Sequence, residues 1–329
     1  MRTPSRISPS ALARFEKDRE SYYLTYCAEP RTPRDPQSKP ASVGSAFDAF
    51  VKGRLMNEIL GVDMTEELFE TQVEPHVRDF AREAGQHCMA SYVHSGAYKR
   101  LTDLLEGSQG DPQFEFTSEI VLGDDLHISG KPDCQFIHRN GAHIVLDWKV
   151  NGYCGKGSTS PSKGFACCFD GVGFDKPSRS HGKSHKLFEP VEHLGIMVNK
   201  YNMEQISIDW ADQLTMYGWM AGEPVGSQNT ICCIEQLVGK GVPGGKPLMR
   251  VASHVTKVSV AHQMGLYERL VTMRAALNAR HIFTELSKDV SLQRCKQLDA
   301  MARSMLSDGS SEGDFFAKCA KPTYTYKGR

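Results

Sequence analysis

No stretch of this chain is apolar for long enough to cross a membrane. Met1–Arg6 lack the apolar core of a signal peptide. There is no internal repeat and no coiled-coil heptad pattern. Net charge is absent too, with 39 basic against 39 acidic residues, so any basic surface must be concentrated locally. The ten cysteines include no C-x2-C pair, and without a secretory signal they argue for reduced thiols or a metal site. These features lead to the expectation of a soluble, cytoplasmic globular chain with no membrane role. At 329 residues, 40% hydrophobic and 24% charged, it can build one large domain with insertions or two smaller ones.

The most informative stretch is Gly130-Lys131-Pro132-Asp133, followed across a turn by Asp147-Trp148-Lys149. Alternation puts Ile144, Leu146, Trp148 and Val150 on one strand face, and Val145, Asp147 and Lys149 on the other. The preceding strand is expected from about Leu126 to His138, with Arg139-Asn140-Gly141 as the turn. A two-residue Asn-Gly loop would set Asp133 opposite Trp148, on the wrong face. A three-residue loop with Gly141 left-handed would set Asp133 opposite Asp147, and if the two share a metal that loop or a bulge of equal effect is expected. Pro132, lacking an N–H, belongs at the end of a ladder. Opposed carboxylates weaken a sheet, and a hard divalent cation between them removes that penalty. A lysine beside them suits metal-assisted phosphodiester hydrolysis. The alternative is an ordinary surface hairpin that happens to carry an aspartate and a lysine.

Two further segments add polar groups to apolar helices. Gly44-Ser45-Ala46-Phe47-Asp48 opens a helix that Ser42 is expected to cap. Phe47, Phe50, Val51 and Leu55 form its core stripe, and Asp48 lies along the edge, where it can reach a metal. Asp209–Met220 reads as a second helix, with Gln213 and Tyr217 sharing a face. Both can contact phosphate or sugar, and Tyr217 can stack on a base. Trp210, Leu214, Tyr217 and Met220 could equally be a core stripe.

The remaining segments are read more coarsely. Ser8-Pro9-Ser10 should cap an amphipathic helix from Ala11 to Tyr26, with Leu12, Phe15, Tyr22, Tyr23 and Tyr26 on its apolar side. From Lys149 to Lys186, seven basic residues face only Asp170 and Asp175. This Gly- and Ser-rich insertion at about 151–190 reads as a basic flap, or else as a solvated insertion. Within it Cys154, Cys167, Cys168, His181 and His185 invite a structural zinc reading, the weaker one because adjacent cysteines space poorly for one tetrahedral site. Thr230–Val238 and Met249–Val260 should form a hairpin. Helices are expected over Val260–Leu286, with Met264, Tyr267, Leu270, Val271 and Leu277 at helical spacing, and over Ser291–Leu306. A weakly ordered tail should follow.

In order, these motifs resemble the PD-(D/E)xK nuclease superfamily in its RecB-type, phage-exonuclease-like branch: G-x-x-x-D, G-K-P-D, D-W-K, then Q-x-x-x-Y. The resemblance spans roughly Ser8 to Met220. It implies an α/β fold, a central mixed β-sheet flanked by helices in a restriction-endonuclease-like core. The nuclease-like domain would cover 1–260, with a C-terminal helical region packed on it over 261–329. It implies Mg²⁺ or Mn²⁺ held by Asp133, Asp147, the Trp148 carbonyl and Asp48, the last standing where relatives usually have His or Glu. Lys149 would orient or help deprotonate the attacking water. Gln213, Tyr217, Lys131, Lys156 and Lys163 would bind substrate. The implied activity is metal-dependent DNA hydrolysis on single or double strands, as an exonuclease in recombination, repair or phage DNA processing. A recombination or single-strand-annealing partner and a bacterial or phage-infected host cell go with it. An iron–sulfur cluster, carried by some relatives, is disfavoured because the tight C-terminal cysteine group is missing. Two alternatives stay open: a nuclease-like fold that only binds nucleic acid, and a zinc-stabilised nucleic-acid-binding protein.

Overall fold

The computed structural model describes residues 1–123, 125–155, 167–170, 189–241 and 245–309. Compactness divides the chain into two units that are discontinuous in sequence. One comprises 37–118 and 131–263; the other comprises 1–36, 119–130 and 264–329.

The first unit is a mixed α/β layer structure. Its six-stranded sheet has the order β1-β4-β5-β9-β10-β6. The strands are β1 (Gln113–Phe114), β4 (Cys134–Ile137), β5 (His143–Asn151), β6 (Cys167–Asp170), β9 (Thr230–Lys240) and β10 (Leu248–Thr256). β5 and β9 run parallel, and every other pair is antiparallel. The β9–β10 pair falls in the expected segments, with β9 running on to Lys240 and β10 stopping at Thr256, short of Val260. Helices α3 (Lys39–Leu60), α5 (Arg78–His94) and α6 (Ala97–Leu105) cover one face. There Val43, Phe47, Val51 and Leu55 join Cys88, Tyr92, Ile144, Leu146, Trp148, Ile231 and Cys233 in one core. The short helix α4 (Thr65–Gln72) adds a second cluster, in which Phe50 stacks on Phe69 at 5.4 Å. The brief α7 (Met203–Ile206) leads into α8 (Ile208–Met220), which packs on β5 and β9. With helices on both sides, β5 is buried on both faces: Val145 and Asp147 are as covered as Ile144 and Leu146. A small two-stranded sheet, β7 (Pro190–His193) and β8 (Ile196–Asn199), completes this unit.

Two local expectations are corrected here. Ser42 does not cap α3; Ser38 does, accepting from the Ala41 N–H at 3.4 Å, with Pro40 in the first turn. A proline is favourable there because first-turn N–H groups have no helical partner. Ser42 instead lies buried inside the helix and donates to the Lys39 carbonyl at 2.9 Å. The strand expected from Leu126 to His138 is interrupted: β3 (Leu126–Gly130) pairs with β2 (Ser118–Leu122), while β4 begins at Cys134. Lys131-Pro132-Asp133 forms the break, as a proline without an N–H requires.

The second unit gathers helices from both ends of the chain. Ser8 caps α1 (Pro9–Lys17), accepting from the Ala11 N–H at 3.2 Å. The single helix expected to Tyr26 breaks at Asp18. That residue is extended, and its carboxylate accepts from the Ser21 N–H at 3.0 Å to start α2 (Arg19–Tyr22). A capping aspartate competes well with continued helix. Helix α9 (Val260–Asn278) stops short of Leu286, where Arg280 turns left-handed at φ 54°. It buries Leu266, Leu270, Met273 and Leu277, while Met264 and Val271 of the expected stripe are exposed. Helix α10 (Lys288–Asp308) is capped by Ser287. Tyr23 donates to Asp299 at 2.9 Å, and Arg294 donates to Glu20 at 2.9 Å. The tail beyond Gly309 lies outside the described residues.

Candidate active site

The β4–β5 hairpin has the register that brings two carboxylates level. Cys134 pairs with Leu146 and Phe136 with Ile144, so one further step sets Asp133 beside Asp147. The turn that fixes this register holds three residues. The His138 N–H donates to the Ala142 carbonyl at 2.8 Å, the Gly141 N–H donates to the His138 carbonyl at 2.7 Å, and Gly141 is left-handed at φ 83°. Glycine adopts that conformation at no steric cost. Asp133 is tied back to the hairpin through its Oδ2, which accepts from the Trp148 backbone N–H at 2.9 Å.

Asp147 and Lys149 point to the same side, toward α8. The Lys149 Nζ lies 2.5 Å from Asp147 Oδ2 and donates to Gln213 Oε1 at 3.0 Å. The Gln213 amide returns a bond to Asp147 Oδ1 at 2.8 Å and another to the Tyr217 hydroxyl at 3.1 Å. Gln213 therefore braces the Asp147–Lys149 pair. Burial, and then the Asp133 carboxylate, pushes the Asp147 pKa well above the usual carboxylate range, while Lys149 pulls it back. Burial and Asp147 also raise the Tyr217 phenol, which stays neutral at ordinary pH.

A second group of carboxylates meets Asp133 from other segments. Asp48, Glu115 and Asp133 each bring one oxygen to within 4.8 Å of the others, all three half-buried. At their centre lies the ammonium of Lys52, whose side chain is 0% exposed. It donates to Asp48 Oδ2 at 2.7 Å, to Asp133 Oδ1 at 2.8 Å, and also to Glu115 Oε1. Burial alone would lower the Lys52 pKa, but Asp133, Asp48 and Glu115 outweigh it and keep the group charged. Asp48 is pushed up by burial and by Asp133, against the pull of Lys52. Glu115 is held at φ 55°, a conformation that costs a non-glycine residue roughly 1–2 kcal/mol. It also pairs with Lys131, which is half exposed.

These donors suit a hard divalent cation. They are carboxylate oxygens, an ammonium already lies among them, and Asp48 Oδ1 is buried with no hydrogen-bond partner. Of the residues proposed from sequence, the fold brings Asp48, Asp133, Asp147, Trp148, Lys149, Gln213, Tyr217 and Lys131 into one neighbourhood. Lys131 is engaged by Glu115 instead of standing free. Lys156, Lys163, His181 and His185 lie outside the described residues; Cys154 is an exposed free thiol. Sequence reasoning missed Lys52 and Glu115. The four-residue spacing from Asp48 could have pointed to Lys52, since i and i+4 share a helix face. Glu115 carries no local signal.

Residues 6–160 match the family model of the PD-(D/E)XK nuclease superfamily. The match supports that superfamily for this chain, a class of nucleases that use divalent metals, and the mixed sheet flanked by helices is consistent with it. It spans Asp48, Glu115, Asp133, Asp147 and Lys149, whereas Gln213 and Tyr217 lie beyond it. None of the curated proteins matches the chain. A solved structure titled "Crystal structure of SSO0001" aligns at 12% identity with a TM-score of 0.23, over 84% of this chain and 95% of that chain.

Proposed function

We propose that this chain is a metal-dependent deoxyribonuclease that degrades DNA from its ends. The observation that carries the chemistry is the hairpin register, which sets Asp133 level with Asp147 and leaves Lys149 beside Asp147. Asp133, Asp147 and Asp48, joined by Glu115 and the Trp148 carbonyl, would hold Mg²⁺ or Mn²⁺. When bound, the metal supplies Lewis acidity toward a phosphate oxygen. Lys149 is held by Asp147 and Gln213, so its ammonium can orient the attacking water and offset charge developing on the phosphate. Gln213 fixes both of those groups, and Tyr217 presents a neutral hydroxyl beside them. Lys131 offers a half-exposed cation at the rim for the phosphate backbone. Action from ends, and work beside a recombination or annealing partner in a bacterial or phage-infected cell, follow from the resemblance to phage exonucleases.

The test uses end-labelled linear and closed circular DNA, single- and double-stranded, with Mg²⁺, Mn²⁺ or EDTA. Degradation of linear DNA that requires metal and spares circles is the expected result. Cutting of circles would keep the chemistry and overturn the action from ends. A second reading, a nuclease-like fold that only binds DNA, draws support from Lys52, which occupies the carboxylate cluster. Metal-supplied, folded protein that retains DNA without cleaving any substrate would favour it.

A further inference from the structure

The partners of each carboxylate oxygen around the site bear on how a metal gets in. An ammonium has three N–H donors and no acceptor. Lys52 places all three on carboxylates, at Asp48 Oδ2, Asp133 Oδ1 and Glu115 Oε1. The second oxygen of Glu115 pairs with Lys131, and that of Asp133 accepts from the Trp148 N–H. Asp147 has one oxygen against Gln213 and the other against Lys149. Among these eight oxygens only Asp48 Oδ1 has neither a hydrogen bond nor an ion pair, and Asp147 Oδ2 has the Lys149 ammonium beside it without hydrogen-bond geometry. A divalent cation of the Mg²⁺ type takes about six oxygen ligands in a near-octahedral shell. Water can fill part of that shell, but a cation that draws on several of these carboxylates must displace partners they already hold.

Lys52 is the partner whose departure opens the most. It touches three acidic groups at once, whereas Lys131, Lys149 and Gln213 each touch one. Its ammonium and a divalent metal compete for the same oxygens, and close approach of two cations is repulsive. The Lys52 stem is long and unbranched, so the head can move without moving α3. An alternative neighbour is already near: the Trp148 ring centroid lies 5.7 Å from Nζ, within reach of a cation–π contact. We propose that Lys52 is a tethered cation that holds the acidic centre together before metal arrives, exchanges with the divalent ion, and is thereby released toward the phosphodiester. This rests on the metal-dependent reading above. It adds that metal loading and the arrival of a second positive charge at the phosphate are one event.

The exchange is tested on the wild-type protein by acylating exposed amines and reading Lys52 by mass spectrometry, with EDTA or with saturating Mn²⁺ and no DNA. Lys52 should be shielded in EDTA and labelled with Mn²⁺. Continued shielding at saturating Mn²⁺ would overturn the exchange. Calorimetric titration of Mn²⁺ into Lys52→Met provides a second readout. Loss of the internal competitor should tighten Mn²⁺ binding by about tenfold or more, and lower the melting temperature in EDTA. Equal or weaker binding by a folded variant would overturn the proposal. Should that variant not fold, labelling of the wild type decides alone. Failure of the wild-type protein to bind Mn²⁺ at all would overturn the metal reading itself, and the exchange with it.

Discussion

The two halves of the site are assembled by different means. The hairpin half, Asp133, Asp147 and Lys149, is set by one three-residue turn and an antiparallel ladder. The helix half, Asp48, Lys52 and Glu115, is set by convergence. Lys52 reaches Glu115 across 63 positions of sequence and Asp133 across 81. Only Asp133 belongs to both. The difference teaches that a site can have a locally encoded reactive edge and a globally encoded charge balance. The first depends on strand register, the second on every layer that brings α3 to the sheet.

The sharpest way to break this comparison is to remove the hairpin groups. Asp147→Ala or Lys149→Ala should lower metal-dependent DNA cleavage by on the order of 10²–10⁴-fold, with the far-ultraviolet circular dichroism unchanged. Near-wild-type cleavage by either variant would place the chemistry elsewhere. A second probe uses pH and touches both halves. Asp48 and Asp147 titrate above their ordinary range, and buried Glu235 on β9 is pushed up to about 7, by burial first. A carboxylate with a raised folded value binds its proton more tightly in the fold than in the unfolded chain. Their contribution to stability in EDTA is therefore full below the unfolded carboxylate range and is lost as pH rises toward 7 to 8. Glu235 alone accounts for about 3 kcal/mol of that loss, at roughly 1.4 kcal/mol per unit. Urea denaturation from pH 5 to 8 reads it, and a flat or rising profile would contradict it.

Smaller effects sharpen the contrast. Gln213→Ala removes the brace but no reacting group, so kcat should fall by about 10–100-fold with KM for DNA little changed. A pure rise in KM would make Gln213 a strand contact, the role its spacing from Tyr217 first suggested. The smallest change is in the turn. Gly141→Ala forces a side chain into the left-handed region and should cost roughly 1–2 kcal/mol of stability, measured by urea denaturation. If activity falls far more than stability, the turn is holding the carboxylates level as well as closing the hairpin.

Much of the hairpin half was readable before any coordinates. Alternation put Asp147 and Lys149 on one face, and the choice between a two- and a three-residue loop decided whether Asp133 could join them. The three-residue turn with left-handed Gly141, or a bulge of equal effect, followed only on the condition that Asp133 and Asp147 share a site; strand parity, which is local, then required it. The helix half was readable only at Asp48. Elements were misplaced where two local signals competed. Asp18 ended a helix that periodicity would have continued, and Ser38, not Ser42, took the cap.

Period-two and period-3.6 patterns, turn chemistry and motif order act within a few residues of chain. They were sufficient for the mixed α/β class, the acidic hairpin and the helix of Gln213 and Tyr217. Packing alone decided that Gln213 would bind Asp147 and Lys149, and that Glu115 would join Asp48. It also buried the Lys52 ammonium among three carboxylates. A charge is buried only where opposite charges from distant segments offset its desolvation, and that balance exists only once the layers have closed.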